Sequence, residues 1–72
     1  MIFARIRDLR EDKDLTQAEV AKQINITREA YAKYETGIRD IPLTVLIRLA
    51  DFYNTSVDYI LEQTNNPERY KE

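Results

Sequence analysis

Only Asn25 and Ile26 stand between two helical signals, and this short gap constrains the fold more than any other feature of the chain. Before it, Ala18, Val20, Ala21 and Ile24 repeat at the spacing of one helix face. After it, Thr27 is a residue type that caps helix starts, and a run follows in which Tyr31 and Tyr34 share a face. The earlier helix, beginning at Gln17, opens on Thr16 with Glu19 three positions later. This is a capping box, in which each side chain satisfies a backbone N–H left free at the helix start. Asn25 tolerates the left-handed backbone that ends helices, so this helix stops near it. Two helices joined over so few residues must cross steeply, which is the helix-turn-helix arrangement.

The same reading supplies three more helices. Ile2, Phe3, Ile6 and Leu9 recur at three- and four-residue intervals, which predicts a helix over 2–12. The helix capped by Thr27 ends at Gly37, the sole glycine of the chain. Asp40 and Pro42 mark a fresh start, with proline near the first turn, where its missing N–H costs nothing. That helix runs to about Tyr53 on Leu43, Leu46, Ile47, Leu49, Ala50 and Tyr53. After Asn54, Ser56 caps a short fifth helix containing Val57, Ile60 and Leu61. Residues 1–62 form the expected domain, and the polar, aperiodic stretch 63–72, QTNNPERYKE, is expected to be a flexible tail. One glycine and two prolines are too few for an all-β domain, whose turns recur roughly every 8 to 12 residues. The expected fold is all-α: one compact domain of five short helices.

Composition narrows the chemistry. Seventy-two residues lie near the lower limit for a single core without staples. With no cysteine and no histidine there is no disulfide, no thiolate nucleophile and no usual transition-metal ligand apart from carboxylates. Asp8, Glu11, Asp12 and Asp14 read as a solvated end of the first helix, with no fixed partner that would suggest acid–base catalysis. No phosphate-cradling glycine loop is present either. The expectation is a binding protein without catalytic residues, metal, cofactor or evident small-molecule ligand. No apolar run approaches the roughly 20 residues that span a bilayer, and no secretory signal opens the sequence, so a cytoplasmic protein is expected.

Within the helix-turn-helix, Ala21 sits where the two helices meet, and only a small side chain lets their backbones approach. Ile26 plugs the turn, and Tyr31 and Tyr34 anchor the second helix inward. The opposite face then carries Arg28, Glu29, Ala32 and Lys33. Long donors at the beginning of such a face and five residues on can reach base edges in a major groove.

The segment LTQAEVAKQINITREAYAKYETG resembles the helix-turn-helix of the Xre, or lambda-repressor-like, family of bacterial and phage regulators. IPLTVLIRLADFYNTSVDYIL is similar to that family's fourth and fifth helices, so the likeness covers about residues 3–62. It implies a five-helix DNA-binding domain, bacterial or phage-encoded, acting on double-stranded DNA. By position, Thr27, Arg28, Glu29 and Lys33 match the residues that face bases. Gln17 matches a glutamine that contacts a phosphate and braces the recognition helix. Thr36, Ile38, Arg39 and Asp40 match residues that meet the sugar-phosphate backbone. Arg10 and Glu35 match an ion pair that positions the recognition helix. Their chemistry is compatible: arginine and lysine read guanine, and glutamate accepts from cytosine N4. Three departures from the family's usual pattern are Asp14 and Asn25, where glycine is frequent, and Tyr31, in a slot more often isoleucine or valine. The first two can enter the left-handed region, and the Tyr31 hydroxyl is expected to emerge at the edge.

The chain as a whole carries a net charge of −2, an objection to DNA binding that location answers. From Lys22 to Arg39 four basic residues face two acidic ones, whereas residues 40–72 hold three basic and six acidic. Charges farther apart than a Debye length of about 8 Å are largely screened, so the local balance dominates. With few cations to release counterions, one copy should bind weakly. A homodimer, at least on DNA, is expected to place two recognition helices roughly 34 Å apart on a pseudo-palindromic operator and to repress by occluding a promoter. Val57, Tyr59, Ile60 and Leu61 are the candidate dimer interface, where related phage repressors also pair. The alternative is a protein-interaction module of the same fold, a partner regulator or antitoxin-like protein with little DNA binding of its own.

Overall fold

The computed structural model describes residues 3–68, so Ile2 and positions 69–72 of the tail lie outside the described residues. Among the described residues five helices follow in order, α1 (Ala4–Asp12), α2 (Gln17–Gln23), α3 (Arg28–Glu35), α4 (Leu43–Tyr53) and α5 (Val57–Ile60), with no strand. None is long and apolar enough to cross a membrane.

Three of the starts are built by the side chains that the sequence singles out. Thr16 Oγ1 accepts from the Glu19 N–H at 3.1 Å while Glu19 Oε1 accepts from the Thr16 N–H at 3.0 Å, closing the capping box of α2. Thr27 caps α3 through the Ala30 N–H at 3.1 Å, and Ser56 caps α5 through the Tyr59 N–H at 3.0 Å. α4 begins on Pro42 with no side-chain cap. The helix ends rely on left-handed residues: Asp14 (φ 54°) follows α1, Asn25 (φ 61°) follows α2, Gly37 (φ 80°) follows α3 and Asn54 (φ 53°) follows α4.

One core joins all five elements. Ile6 from α1, Val20 and Ala21 from α2, Ile24 just after it, Tyr31 and Tyr34 from α3, and Ile60 from α5 are buried together with Val45, Leu46, Leu49, Ala50 and Tyr53 of α4. α2 packs on α3, where Ala21 permits the close approach, and α1 packs on both α3 and α5. Two corrections arise. Leu43 and Ile47, expected on the inward side of α4, are 64% and 45% exposed. α4 is apolar over most of its circumference, and its neighbours cover the stripe centred on Leu46, Leu49 and Ala50. Leu43 and Ile47, four residues apart, fall on the adjacent stripe. Tyr31 is 0% exposed, so its hydroxyl does not emerge at the edge; it lies in the core because α1 and α2 close over that face of α3.

The backbone at Asn25 gives a direct test. Asn25→Gly should leave the urea midpoint unchanged or slightly raised, whereas Asn25→Val should lower stability by about 1–2 kcal/mol, because a β-branched side chain resists positive φ.

Candidate nucleic-acid interface

The side chains that reach α3 by hydrogen bonds from α1 and α2 converge on Glu35, in its last turn. The Arg10 guanidinium reaches across from α1 as a fork, Nε donating to Glu35 Oε2 at 3.1 Å and Nη2 to Glu35 Oε1 at 2.8 Å. Its remaining nitrogen, Nη1, donates to the Leu15 carbonyl at 2.9 Å, tying in the loop between α1 and α2. Gln17 Nε2 approaches Glu35 Oε1 at 3.5 Å, a weak third support from the start of α2. The Glu35 side chain is 4% exposed and that of Arg10 15%. Burial pushes the Glu35 carboxyl up, but the Arg10 hydrogen bonds and charge more than offset this and hold it below its ordinary value. The hydrogen bond to Glu35 raises Arg10 in turn. The Tyr31 hydroxyl lies close enough to favour the carboxylate, but it completes no hydrogen bond in its buried position.

A second brace was not read from the sequence. Arg48 of α4 donates from Nη1 to the Ile24 carbonyl at 3.2 Å, capping the end of α2 just before the turn. Its only signal was that it is the one cation of a mostly apolar α4. Within the turn, the Ile26 N–H donates to the Ala21 carbonyl at 3.0 Å, so the crossing of α2 and α3 is hydrogen-bonded as well as packed.

With the inner face of α3 fixed, its outer face presents Arg28, Glu29 and Lys33, all exposed, with Ala32 half-buried between them. Thr27 is exposed and uses its oxygen as a cap, which leaves the hydroxyl proton to donate. The other expected backbone contacts differ in what they offer. Arg39 is exposed, and its N–H closes on the Lys33 carbonyl at 3.2 Å, which folds the loop after Gly37 against the end of α3. Ile38 is 78% exposed and has no polar side chain to offer a phosphate. Thr36 donates its hydroxyl to the Ala32 carbonyl at 2.8 Å and so has no spare side-chain donor. At the far side, Val57, Tyr59 and Leu61 are half-buried, but Ile60 is 0% exposed and belongs to this chain's own core. It has no surface to give a second subunit.

A helix with a locked inner face and an outer face of long polar side chains is suited to entering a groove rather than to catalysis. Comparison with known proteins agrees with the geometry. The helix-turn-helix family model HTH_3 matches residues 6–60. The chain is 40% identical over 68 residues to the uncharacterized HTH-type transcriptional regulator YobD of Bacillus subtilis, covering 94% of this chain and 61% of that protein. It is 36% identical over 73 residues to the cryptic phage CTXphi transcriptional repressor RstR of Vibrio cholerae, covering 99% and 66%. It is also 35% identical over 57 residues to the HTH-type transcriptional regulator ImmR of Bacillus subtilis, covering 79% and 45%. The chain spans less than two thirds of the length of these curated relatives.

The Glu35 pair sets a pH dependence whose sign is fixed by its lowered folded-state value. The stability it contributes is complete above the unfolded glutamate value, near 4.3, and is lost as pH falls through the folded value. Glu35→Gln should therefore lower stability at pH 7 by on the order of 3 kcal/mol, since it leaves the buried Arg10 charge unbalanced. In urea denaturation across pH 7 to 3, the gap between wild type and variant should stay constant down to about pH 5 and then narrow.

Proposed function

The chain belongs to the HTH_3 helix-turn-helix family, and on that premise we propose that it is a sequence-specific DNA-binding regulator of transcription, acting as a repressor. α3 enters the major groove. Arg28 and Lys33 donate to guanine edges, Glu29 accepts from cytosine, and Thr27 supplies a shorter contact at the helix start. Gln17 and Arg39 hold the flanking phosphates, one from the start of α2 and one from the loop after α3. Repression by occluding a promoter accords with the name of the phage relative.

Two copies act together in this reading. The cations near α3 are few, so the counterion release available to a single copy is small and its salt dependence shallow. Pairing two recognition helices about 34 Å apart on a pseudo-palindrome doubles that term and supplies specificity. The half-buried Val57, Tyr59 and Leu61 are the surface that favours pairing.

The observation that carries the proposal is the joint exposure of Arg28, Glu29 and Lys33 on a helix whose opposite face is pinned by Arg10. Selection from random duplexes should enrich a two-fold-related site for wild type. Arg28→Ala should lose about 5- to 150-fold affinity per half-site, the equivalent of 1–3 kcal/mol for each bidentate contact, and should relax the preference at one base pair in each half-site. Enrichment of the same site with equal affinity by the variant would overturn the base-reading role.

A further inference from the structure

We propose that Arg5 latches residues 63–67 across α5 as a strap, and that in doing so Arg5 masks part of the surface through which two copies pair. Arg5 projects from α1 and makes four contacts with α5 and the segment after it. Nη1 donates to the Tyr59 carbonyl at 2.9 Å and also to the Thr64 carbonyl. Nη2 donates to Asn65 Oδ1 at 2.6 Å, and the guanidinium carbon lies 4.2 Å from the centre of the Tyr59 ring. The far end is pinned independently. Thr55, 2% exposed in the middle of the α4–α5 turn, donates its hydroxyl to the Pro67 carbonyl.

The segment between these pins is not held by burial. Gln63, Asn65, Asn66 and Pro67 are exposed, Thr64 is half-buried, and none carries a large apolar side chain. It reaches its place through Glu62, whose φ of 61° is disfavoured for a residue with a Cβ, and through the Gln63 N–H, which donates to the Asp58 carbonyl at 2.8 Å. A strap held by a few hydrogen bonds and one stacked cation, with a disfavoured reversal at its root, can open without disturbing the core.

The masking follows from where Arg5 sits. Its guanidinium covers one face of the Tyr59 ring, so a second copy meets Val57 and Leu61 but not that face while the latch is closed. Displacing Arg5 releases the ring and enlarges the apolar surface on α5. This consequence rests on the reading of α5 as the pairing surface; the latch itself does not.

The test uses the full chain with Arg5→Ala and, as a milder variant, Thr55→Val, which removes only the hydroxyl. Amide hydrogen exchange at Gln63 should quicken tenfold or more in both, while the Ile24 amide stays within twofold of wild type. Sedimentation equilibrium should give a self-association constant about tenfold higher for Arg5→Ala. An unchanged Gln63 rate, or Ile24 quickening along with it, would overturn the latch. Association that falls or stays flat would overturn the masking. Adding Leu61→Glu to Arg5→Ala separates the two readings. Loss of the gained association supports pairing through α5. Association that persists overturns that pairing reading and the masking with it, while the Gln63 rate still decides the latch.

Discussion

The forked contact between Arg10 and Glu35 is the interaction on which the rest of this small domain depends. It is the point at which α1, the loop before α2, and α3 are fixed relative to one another, because the same guanidinium also holds the Leu15 carbonyl. A buried ion pair is weak evidence for stability in itself, since desolvation offsets much of its attraction and apolar replacements are often as stable. Its distinctive property is direction. Apolar packing around Tyr31 and Tyr34 would tolerate small rotations of α3, whereas a two-point hydrogen-bonded fork restricts them. The surroundings reinforce this. The Tyr53 hydroxyl, pushed up to about 12 by burial, stays neutral beside the pair, so the pair's charges meet no third buried charge from the tyrosines.

From that fixed inner face follows the outer one. A helix pinned at Glu35 and capped at Thr27 has little freedom about its axis, and this decides that Arg28, Glu29 and Lys33 emerge together. Arg48, from the other side of the turn, holds the end of α2 in the same frame. The proposed groove recognition depends on this rigidity, because a side chain misplaced by about an ångström loses its bidentate geometry. The acidic balance of the whole chain matters less than the basic excess between Lys22 and Arg39, since screening keeps the field local.

Much of this was legible in the sequence, for identifiable reasons. Thr16 with Glu19, Thr27 and Ser56 mark helix starts because their hydroxyls satisfy backbone donors locally, and local chemistry can be read from local sequence. Asp14, Asn25 and Gly37 were legible because few residue types accept positive φ. The helix-turn-helix crossing followed from the shortness of the turn. The misreadings share a different cause. Leu43 and Ile47 faced outward because each stands next to the polar, exposed stripe of Thr44, Arg48 and Asp51, and an apolar residue at the border of such a stripe can fall on either side of it. The Tyr31 hydroxyl and Ile60 were misplaced because their burial depends on how closely α1 packs on α3 and α5, which no spacing within one helix encodes. Arg5 was invisible for the same reason: its partners stand 54 to 60 positions away in the chain.

A double-mutant cycle pairing Arg10→Met with Glu35→Leu, read by chemical denaturation at pH 7, measures the interaction itself rather than the cost of leaving one partner alone. The double variant should recover most of what either single variant loses, with a coupling of about 2 kcal/mol or more between the two positions. Losses that simply add, with coupling near zero, would contradict the role given to this pair in holding α3.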